Sequence, residues 1–264
     1  MPLAFTDIHC HLLPGIDDGA RDLQESLAMA RMAVAEGTRE IVVTPHQLGS
    51  YAHNTGDDIR RLTAELQAEL DREQIPLRIA PGGDVRIEEG MVEQLVAGEV
   101  LSLGDLGRHV LLELPHELYF PLEPLLDELS ARGITGILSH PERNHGILRT
   151  PSLLPSLVDY GCLMQVTAGS LMGTFGPHSQ QLAESMLARG LVHFISTDAH
   201  GIVKRRPLMR RAYERAVELA PEATCLAMFC ENPSRIARGE SVPPGVMPVR
   251  KRGFRGLFSG RRAG

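Results

Sequence analysis

The 264-residue sequence has only four cysteines, no tryptophan and no apolar run long enough to span a membrane. None of the cysteines belongs to a CxxC pair or to the dense spacing of a disulfide framework; they are Cys10, Cys162, Cys225 and Cys230. This pattern predicts reduced thiols in a cytoplasmic protein. A transmembrane helix needs about 18 or more consecutive apolar residues, so we expect none. The N-terminus also lacks the charged and apolar regions of a signal peptide.

The charge of the chain is unevenly distributed. The whole sequence has 27 lysines and arginines and 33 aspartates and glutamates, which gives a net charge of -6. Six basic side chains, with no acidic one among them, lie near the C-terminus at Arg250, Lys251, Arg252, Arg255, Arg261 and Arg262. Without those six, 21 basic side chains oppose 33 acidic ones, a net charge of -12. An acidic body suits a cluster of metal-binding carboxylates and argues against nucleic acid as a partner.

The order of the predicted elements indicates an α/β fold with a single domain. Apolar and β-branched runs alternate with amphipathic segments, as in a parallel sheet covered by helices. Asp22 and Gly37 predict the two ends of the first helix, and a later helix is predicted over residues 180–189. About seven strands without a linker between them indicate a barrel, to which we assign residues 1–240.

Residues 241–264 are predicted to form a basic, mobile tail rather than part of the barrel. They contain glycine, arginine and isolated apolar side chains such as Phe254 and Phe258, which cannot build a core. A solvated end is one interpretation of this segment. The other is weak contact with an anionic membrane or with a tyrosine-rich kinase tail through the basic side chains. The sequence leaves the oligomeric state open, and a homo-oligomer is compatible with it.

The most informative polar residues follow the predicted strands. His9 and His11 end the first strand, where alternation turns both away from Cys10 and leaves that cysteine to pack in the core. Similar residues stand at or near the ends of the other strands, at His46, Asp84, Glu113, His140, Asp198 and His200. Because the carboxyl ends of parallel strands share one face of a barrel, we expect these side chains to converge there. The loop behind the first strand adds two carboxylates, Asp17 and Asp18.

Each of these residues alone has an ordinary interpretation. A histidine at a strand end is usually a hydrogen-bonded loop residue, Asp198 is a candidate helix N-cap and Glu113 is a candidate ion-pair partner. Six strand ends that carry only such residues make coincidence improbable, and mixed imidazole and carboxylate ligands suit manganese, zinc or iron. Eight candidates exceed the needs of one ion, so we expect two or three divalent ions that share a carboxylate. Two arginines close behind this set, Arg143 and Arg205, are either phosphate ligands or ordinary surface cations.

Seven short segments of the chain resemble a known superfamily. They are residues 7–11 (DIHCH), 13–19 (LPGIDDG), 44–46 (TPH), 81–87 (PGGDVRI), 140–144 (HPERN), 168–171 (AGSL) and 196–200 (STDAH). In this order they resemble the PHP (polymerase and histidinol phosphatase) superfamily. More narrowly, they are similar to the bacterial PHP-type protein-tyrosine phosphatases linked to capsule and exopolysaccharide synthesis. The segments between residues 7 and 19 and at 140–144 are specific, whereas an isolated HxH would not be.

The resemblance implies a distorted (β/α)7 TIM-like barrel with a trinuclear site that is usually loaded with manganese, iron and zinc being the alternatives. The ligands it implies for the three ions are His9, His11, Asp84 and Asp198; Asp84, Glu113 and His140; and Asp18, His46 and His200. Arg143 and Arg205 would bind the phosphate. Asp84 stands where the family usually has glutamate, so we expect a contracted site or altered metal spacing. Gln47 stands where the family often has a second histidine.

The implied activity is that of a metal-dependent phosphoric monoester hydrolase acting on phosphotyrosine in proteins, such as a capsule or exopolysaccharide tyrosine kinase. A metal-bound hydroxide would attack the phosphorus, and the ions and arginines would stabilise the charge. A covalent phosphocysteine is not expected, because no cysteine of the chain begins a Cys-x5-Arg segment. Two rivals remain on the sequence alone: a small-molecule phosphatase of the histidinol-phosphate type, and a metal-binding scaffold without catalysis.

Overall fold

The computed structural model describes residues 3–242, and the nine β-strands within them all pair in parallel. They are β1 (Phe5–Cys10), β2 (Thr38–Val43), β3 (His46–Gln47), β4 (Arg78–Ala80), β5 (Asp84–Arg86), β6 (His109–Glu113), β7 (Thr135–Ser139), β8 (Leu163–Thr167) and β9 (Phe194–Ser196). One sheet has the order β1-β2-β4 and the other the order β3-β5-β6-β7-β8-β9. The predicted tail lies almost entirely outside the described residues, so its boundary at residue 240 stays a prediction.

The two sheets form one barrel with seven strand positions. β3 follows β2 after Pro45 and β5 follows β4 after residues 81–83, so two interrupted strands lie side by side. The barrel closes where Cys10 bridges Ala199 in parallel and the N–H of His11 donates to the Ala199 carbonyl at 2.9 Å. This architecture confirms the α/β barrel of seven strands that the resemblance implies.

Proline and glycine residues account for the two interruptions. Pro45 has no N–H to donate to the ladder, but its carbonyl accepts a hydrogen bond from the N–H of Asp84 at 3.0 Å. A Cβ at Gly83 would lie 2.4 Å from Oε1 of Gln47, so a larger residue would displace this side chain from its hydrogen bond with the N–H of Leu101. Beyond the interruptions the parallel pairing resumes, and His46 pairs directly with Asp84 in the β3–β5 ladder.

Eleven α-helices accompany the strands in the described part of the chain. They are α1 (Leu23–Glu36), α2 (Gly56–Arg72), α3 (Met91–Ala97), α4 (Glu123–Ala131), α5 (His145–Arg149), α6 (Leu153–Asp159), α7 (Ala168–Leu171), α8 (Pro177–Ala188), α9 (Arg210–Leu219), α10 (Glu222–Leu226) and α11 (Asn232–Ala237). The predicted ends of α1 are confirmed: the side chain of Asp22 accepts from the N–H of Glu25, and Gly37 ends the helix at a φ of 109°. α8 begins earlier than predicted, because Pro177 is well suited to the first helical position. No helix within residues 3–242 is both long and apolar enough to cross a membrane.

Large apolar side chains fill the barrel below the strand ends. They come from five different strands and are fully buried: Ile8, Val42, Leu111, Ile137 and Phe194. Ile236 of α11 belongs to the same cluster. The interior of the barrel is therefore a packed floor beneath the polar strand ends rather than a pore.

An irregularity in β1 directs His9 into the barrel. The register with β2 shifts between Asp7 and Cys10, so that β1 carries one extra residue there. Ile8 packs in the barrel floor, whereas Cys10 packs on the outer side with side chains of α1, as predicted. His9 lies between these two residues, and the bulge turns its side chain into the barrel. There its Nδ1 lies 2.8 Å from Oε1 of Gln165 on β8.

Removing a side chain from the floor should destabilise the whole barrel. We expect Leu111→Ala to lower the free energy of unfolding by about 2–5 kcal/mol, because a fully buried leucine leaves a cavity when truncated. Leu118→Ala is the matched control, since Leu118 is 62% exposed and its truncation should change stability by less than about 0.5 kcal/mol. Urea unfolding followed by circular dichroism measures both. Equal effects of the two substitutions would contradict the packed floor.

His193, directly before β9, should make the fold sensitive to acid. Its backbone N–H donates to the Met164 carbonyl at 3.0 Å, and its Nδ1 accepts from the N–H of Met164 at 3.1 Å. Burial lowers the pKa of His193 from 6.5 to about 4. The unfolded chain therefore binds the extra proton first, and the stability that the neutral ring supplies above pH 6.5 is lost as the pH falls towards 4.

The variant His193→Gln removes this titration. Between pH 6.5 and pH 4 its free energy of unfolding should fall less steeply than that of the wild-type protein, by up to about 1.4 kcal/mol per pH unit. Urea unfolding at a series of pH values gives the two slopes. Parallel pH dependence of the wild-type and variant proteins would contradict the buried neutral ring.

Candidate metal centre

The side chains of all nine predicted ligands meet at the carboxyl ends of the barrel strands. Their candidate donor atoms fall into four overlapping groups, and within each group the atoms lie within 4.8 Å of one another. The groups are His11, Asp18, His46 and His200; His9, His11 and Asp84; His9, His140 and Asp198; and His46, Asp84 and Glu113. Because the groups share members, they make one continuous cluster. The role of each residue as a ligand stays a prediction.

The division among ions that the resemblance implies differs from this grouping around His140 and Glu113. Nε2 of His140 lies 4.0 Å from Oε1 of Glu113, whereas Nδ1 of His46 lies 3.7 Å from Oε2 of that glutamate. Asp84 lies between the groups, since its Oδ2 is 3.5 Å from Nε2 of His9 and 3.4 Å from Nδ1 of His46. The aspartate therefore reaches histidines of two groups despite being one methylene shorter than the usual glutamate.

Several buried atoms of the cluster have no hydrogen-bond partner within residues 3–242. They are Oδ1 and Oδ2 of Asp84, Oδ1 of Asp198 and Nε2 of His200. Burying carboxylate oxygens without partners is strongly unfavourable, and a coordinated cation removes that cost. Carboxylate oxygen and imidazole nitrogen are ligands of zinc, manganese and iron. The donor atoms of the cluster therefore fit divalent metal ions.

The electrostatics of the cluster also favour bound cations. Burial lowers the pKa of His9, but the carboxylates of Asp198 and Asp84 outweigh it and raise that pKa to about 9. Burial and the negative charge of Asp84 raise the pKa of Glu113 to about 7. Burial also opposes the charged form of Asp84, yet His9 and His46 hold its pKa well below the usual range. Carboxylates this close together are stabilised by added positive charge.

Hydrogen bonds orient two of the histidine rings. The Nδ1–H of His9 donates to Oε1 of Gln165 at 2.8 Å, and that of His200 donates to the carbonyl of Asp198 at 3.0 Å. With the proton on Nδ1, the Nε2 lone pair of each ring is available to the cluster. Nε2 of His9 lies only 3.3 Å from Nε2 of His11, so the two nitrogens converge, and bound cations would displace the protons that the raised pKa values of both rings favour. Metal-binding histidines are commonly held in this way.

Asp17 supports the cluster from one side. Its Oδ2 accepts hydrogen bonds from Nδ1–H of His11 at 2.7 Å and from the backbone N–H of His46 at 3.0 Å. Its Oδ1 accepts from the N–H of Gly19 at 2.9 Å, where a Cβ would lie 2.3 Å from the carbonyl oxygen of His11. This glycine-dependent turn orients His11 and leaves Asp18 as the loop carboxylate that faces the cluster.

The orienting roles of Asp17 and Gln165 are not predicted from the sequence. Asp17 stands beside Asp18 in the same loop, and that position is a signal from which its role could have been inferred. Gln165 is 156 residues from His9 along the chain, so no local pattern could have paired them.

Gln47, at the position of the family's second histidine, belongs to the framework. Its Nε2 donates to the carbonyl of Asn54 at 2.9 Å, and its Oε1 accepts from the N–H of Leu101 at 2.8 Å. The side chain is buried, and its amide group is occupied by these backbone contacts. These contacts give Gln47 a structural role, in agreement with its absence from the predicted ligands.

Both candidate arginines reach one side of the cluster. Arg143, which follows β7, and Arg205, which follows β9, donate to Oδ2 of Asp198. The guanidinium carbon of Arg143 also lies 4.1 Å from the centre of the Phe175 ring, a distance at which the ring face attracts the cation. The other oxygen of Asp198, Oδ1, lies 3.2 Å from Nε2 of His9. Asp198 thus connects the histidine cluster to a pair of cations suited to binding an anion.

Three of these residues have unusual backbone conformations. The φ angle is 32° at His140, 50° at Asp198 and 47° at Arg205, in the left-handed region that non-glycine residues rarely adopt. Each such residue costs about 1–3 kcal/mol and persists only where its surroundings hold it. The N–H of Asp198 donates to the His9 carbonyl at 2.7 Å, and the Arg205 carbonyl accepts from the N–H of His200 at 2.8 Å. Strain at these positions fits a functional site.

Comparison of the whole sequence with known proteins agrees with the resemblance of its short segments to capsule-linked phosphatases. The family described as capsular polysaccharide synthesis, CpsB/CapC, matches residues 5–238. The chain is 36% identical to the tyrosine-protein phosphatase YwqE of Bacillus subtilis (strain 168) over 258 residues, which covers 96% of this chain and 99% of YwqE. It is 26% identical to the tyrosine-protein phosphatase CpsB of Streptococcus pneumoniae over 242 residues, covering 89% and 99% of the two chains.

Solved structures extend the likeness to three dimensions. The chain matches one from work on YwqE of B. subtilis and CpsB of S. pneumoniae, described there as metal-dependent tyrosine phosphatases, with a TM-score of 0.85 and 34% identity. The match covers 93% of this chain and 100% of that one. The phosphotriesterase homology protein of Escherichia coli, with phosphate in its active site, gives a TM-score of 0.57 at 15% identity, which indicates a shared fold only.

Asp17 provides a test of the candidate metal centre that does not alter a predicted ligand. Asp17→Asn keeps the shape of the side chain but removes the charge that orients His11, so we expect divalent metal affinity to fall about 10–100-fold. Calorimetric titration of metal-free protein with Mn²⁺ measures the change. Asp57→Asn, at a site whose carboxylate side chain is 95% exposed, is the control and should bind as the wild-type protein does. Unchanged affinity in Asp17→Asn would count against the orienting role.

Proposed function

The chain belongs to the CpsB/CapC family of capsular polysaccharide synthesis, and we propose that it is a metal-dependent phosphatase that hydrolyses phosphotyrosine in proteins. The names of its relatives YwqE and CpsB support the reaction, because both are tyrosine-protein phosphatases. The observation that carries the proposal is the position of Asp198. One of its oxygens lies against the histidine cluster, and the other accepts hydrogen bonds from Arg143 and Arg205.

The nine predicted ligands would hold two or three divalent ions, for which manganese is our first choice and iron or zinc the alternatives. The unpartnered oxygens of Asp84 and Asp198 support this assignment, as does the absence of cysteine from the candidate groups in residues 3–242. Bound divalent ions supply Lewis acidity and lower the pKa of water, which gives a nucleophile near neutral pH. Oxygen and nitrogen donors without thiolate are compatible with all three metals.

Arg143 and Arg205 would bind the oxygens of the phosphoryl group. A guanidinium remains charged at all relevant pH values and presents donors in a planar fork that matches phosphate. Phe175 restrains Arg143 through its ring face, and the carboxylate of Asp198 holds both guanidinium groups next to the cluster. The two side chains would therefore neutralise charge on the phosphoryl group as the bond to tyrosine breaks.

The chain's own groups argue for direct hydrolysis rather than a phosphoenzyme on cysteine. Cys10 lies between two candidate ligands in sequence, but it is fully buried on the outer side of β1. Burial raises the pKa of its thiol well above the usual value, so it is a poor nucleophile. The phenol of tyrosine has a pKa of about 10, which makes it a leaving group that needs little help from an acid.

The finer features of the proposal concern partners and location. The physiological substrate would be a bacterial tyrosine kinase of capsule or exopolysaccharide synthesis, which the family's description supports. The thiol pattern favours the cytoplasm: the four cysteines are all unpaired. The oligomeric state stays open, with a homo-oligomer compatible with the sequence. Membrane contact through the basic segment stays one of two interpretations, since its arginines lie outside the described residues.

Substitution of the arginines tests phosphate binding separately from metal binding. We expect Arg143→Gln and Arg205→Gln each to lower kcat/KM for a phosphotyrosine peptide by about 100-fold, the loss typical of one removed charge-stabilising donor. Their metal content, measured by plasma emission spectroscopy, should stay that of the wild-type protein. Arg61→Gln on the exposed face of α2 is the control and should leave both quantities unchanged.

Three outcomes would overturn the proposal. Full hydrolysis after chelation, or in His140→Ala, would exclude the metal-dependent reaction. Faster turnover of histidinol phosphate than of phosphotyrosine peptides would identify a small-molecule phosphatase. Bound metal without hydrolysis of either substrate or of p-nitrophenyl phosphate would identify a scaffold.

A further inference from the structure

A large groove opens directly beside Arg205. Its volume is about 610 Å³, and it runs between the segment that follows β9 and the segment around Phe175. Phe175 lines the groove on one side and stacks on Arg143, so the groove adjoins both candidate phosphate ligands. This space is much larger than a phosphoryl group requires.

The groove is basic although the body of the chain is acidic. Lys204, Arg206 and Arg211 line it together with Arg205, and no lining residue is acidic. Those first three side chains are exposed and form no ion pair within residues 3–242, whereas Arg215 on the same helix as Arg211 pairs with Glu184. Unpaired cations concentrated at one place in a chain whose net charge is -6 indicate an anionic occupant.

Apolar side chains stand among these cations. Val203 is 81% exposed and Met172 is 36% exposed, and both line the groove. These exposed apolar side chains among the cations suit contact with a polypeptide, which has both charged and apolar side chains, better than contact with a small free anion. The pocket on the other side of Phe175 differs: besides Arg143, which donates to Asp198, it is lined by three histidines and no further arginine or lysine. One of these histidines, His145, already pairs with Glu117 at 2.6 Å.

We propose that this basic groove binds the acidic polypeptide segment that flanks the phosphotyrosine of the substrate. The inference rests on the proposed function, since it takes Arg205 to bind the phosphoryl group and the groove to extend from it. Lys204, Arg206 and Arg211 would pair with carboxylates of the segment, and Val203 would contact one of its apolar side chains. The cations of the groove would then select among phosphotyrosine sites without taking part in hydrolysis.

Matched peptides test the proposal. One carries glutamates on both sides of the phosphotyrosine and the other carries glutamines at the same positions; p-nitrophenyl phosphate reports hydrolysis without any flanking segment. We expect the metal-loaded wild-type protein to prefer the glutamate peptide by about tenfold in kcat/KM, as a few exposed ion pairs can supply. Added NaCl should reduce this preference, because exposed charge pairs are screened.

Variants assign the preference to the groove. The triple variant Lys204→Gln, Arg206→Gln, Arg211→Gln should turn over both peptides equally and keep wild-type turnover of p-nitrophenyl phosphate. The single variant Arg206→Glu should lower kcat/KM for the glutamate peptide relative to the glutamine peptide. It provides a test if the triple variant does not fold. Arg189→Gln is the matched control, since Arg189 is exposed but does not line the groove.

The possible outcomes distinguish the groove proposal from the proposed function. Equal turnover of the two peptides by a wild-type protein that hydrolyses p-nitrophenyl phosphate overturns the groove proposal and leaves the proposed function standing. A preference that persists in both groove variants also overturns it. Failure of the wild-type protein to hydrolyse any of the three substrates refutes the proposed function itself.

Discussion

The carboxylate of Asp198 interacts with two chemically different sets of groups at once. One oxygen lies among imidazoles, 3.2 Å from Nε2 of His9 and 3.4 Å from Nε2 of His11, and the other accepts from Arg143 and Arg205. Its backbone N–H donates to the His9 carbonyl, which ties the end of β9 to β1 where the barrel closes. The same residue has a φ of 50°, a left-handed conformation that persists only where its surroundings hold it. Asp198 therefore links the closing strands of the barrel, the histidine cluster and the arginine pair.

The interrupted strands show how the same barrel makes room for a cluster of charged groups. An unbroken ladder would continue through residues 44–45 and 81–83, but proline and close glycine packing stop it there. The chain resumes as the short β3–β5 ladder, where His46 and Asp84 are direct partners and face the same side. The β3–β5 ladder thereby adds two candidate ligands to those that follow β1, β6, β7 and β9 at the mouth of the barrel.

The sequence predicted those parts of the structure that follow from local pattern and from the parallel direction of the strands. Helix α1 has its predicted ends because capping by Asp22 and Gly37 is local chemistry. His9, His46 and Asp198 converge because strand ends of a parallel barrel must share a face. The partner of His9, Gln165, could not be predicted, since that contact depends on how β1 and β8 are placed across the barrel. The bulge that re-aims His9 likewise reflects pairing with β2 rather than the sequence of β1 alone.

The packed floor of the barrel has a consequence for access to the site. Leu111, Ile137 and Phe194 leave no passage through the interior, so solutes enter and leave only by the mouth at the strand ends. If the phosphoryl group binds at Arg143 and Arg205 as proposed, the peptide part of the substrate lies between it and solvent. Inorganic phosphate and the tyrosine-containing polypeptide would both leave through the same mouth by which the substrate entered. A barrel closed from below thereby makes substrate entry and product release share one side of the molecule.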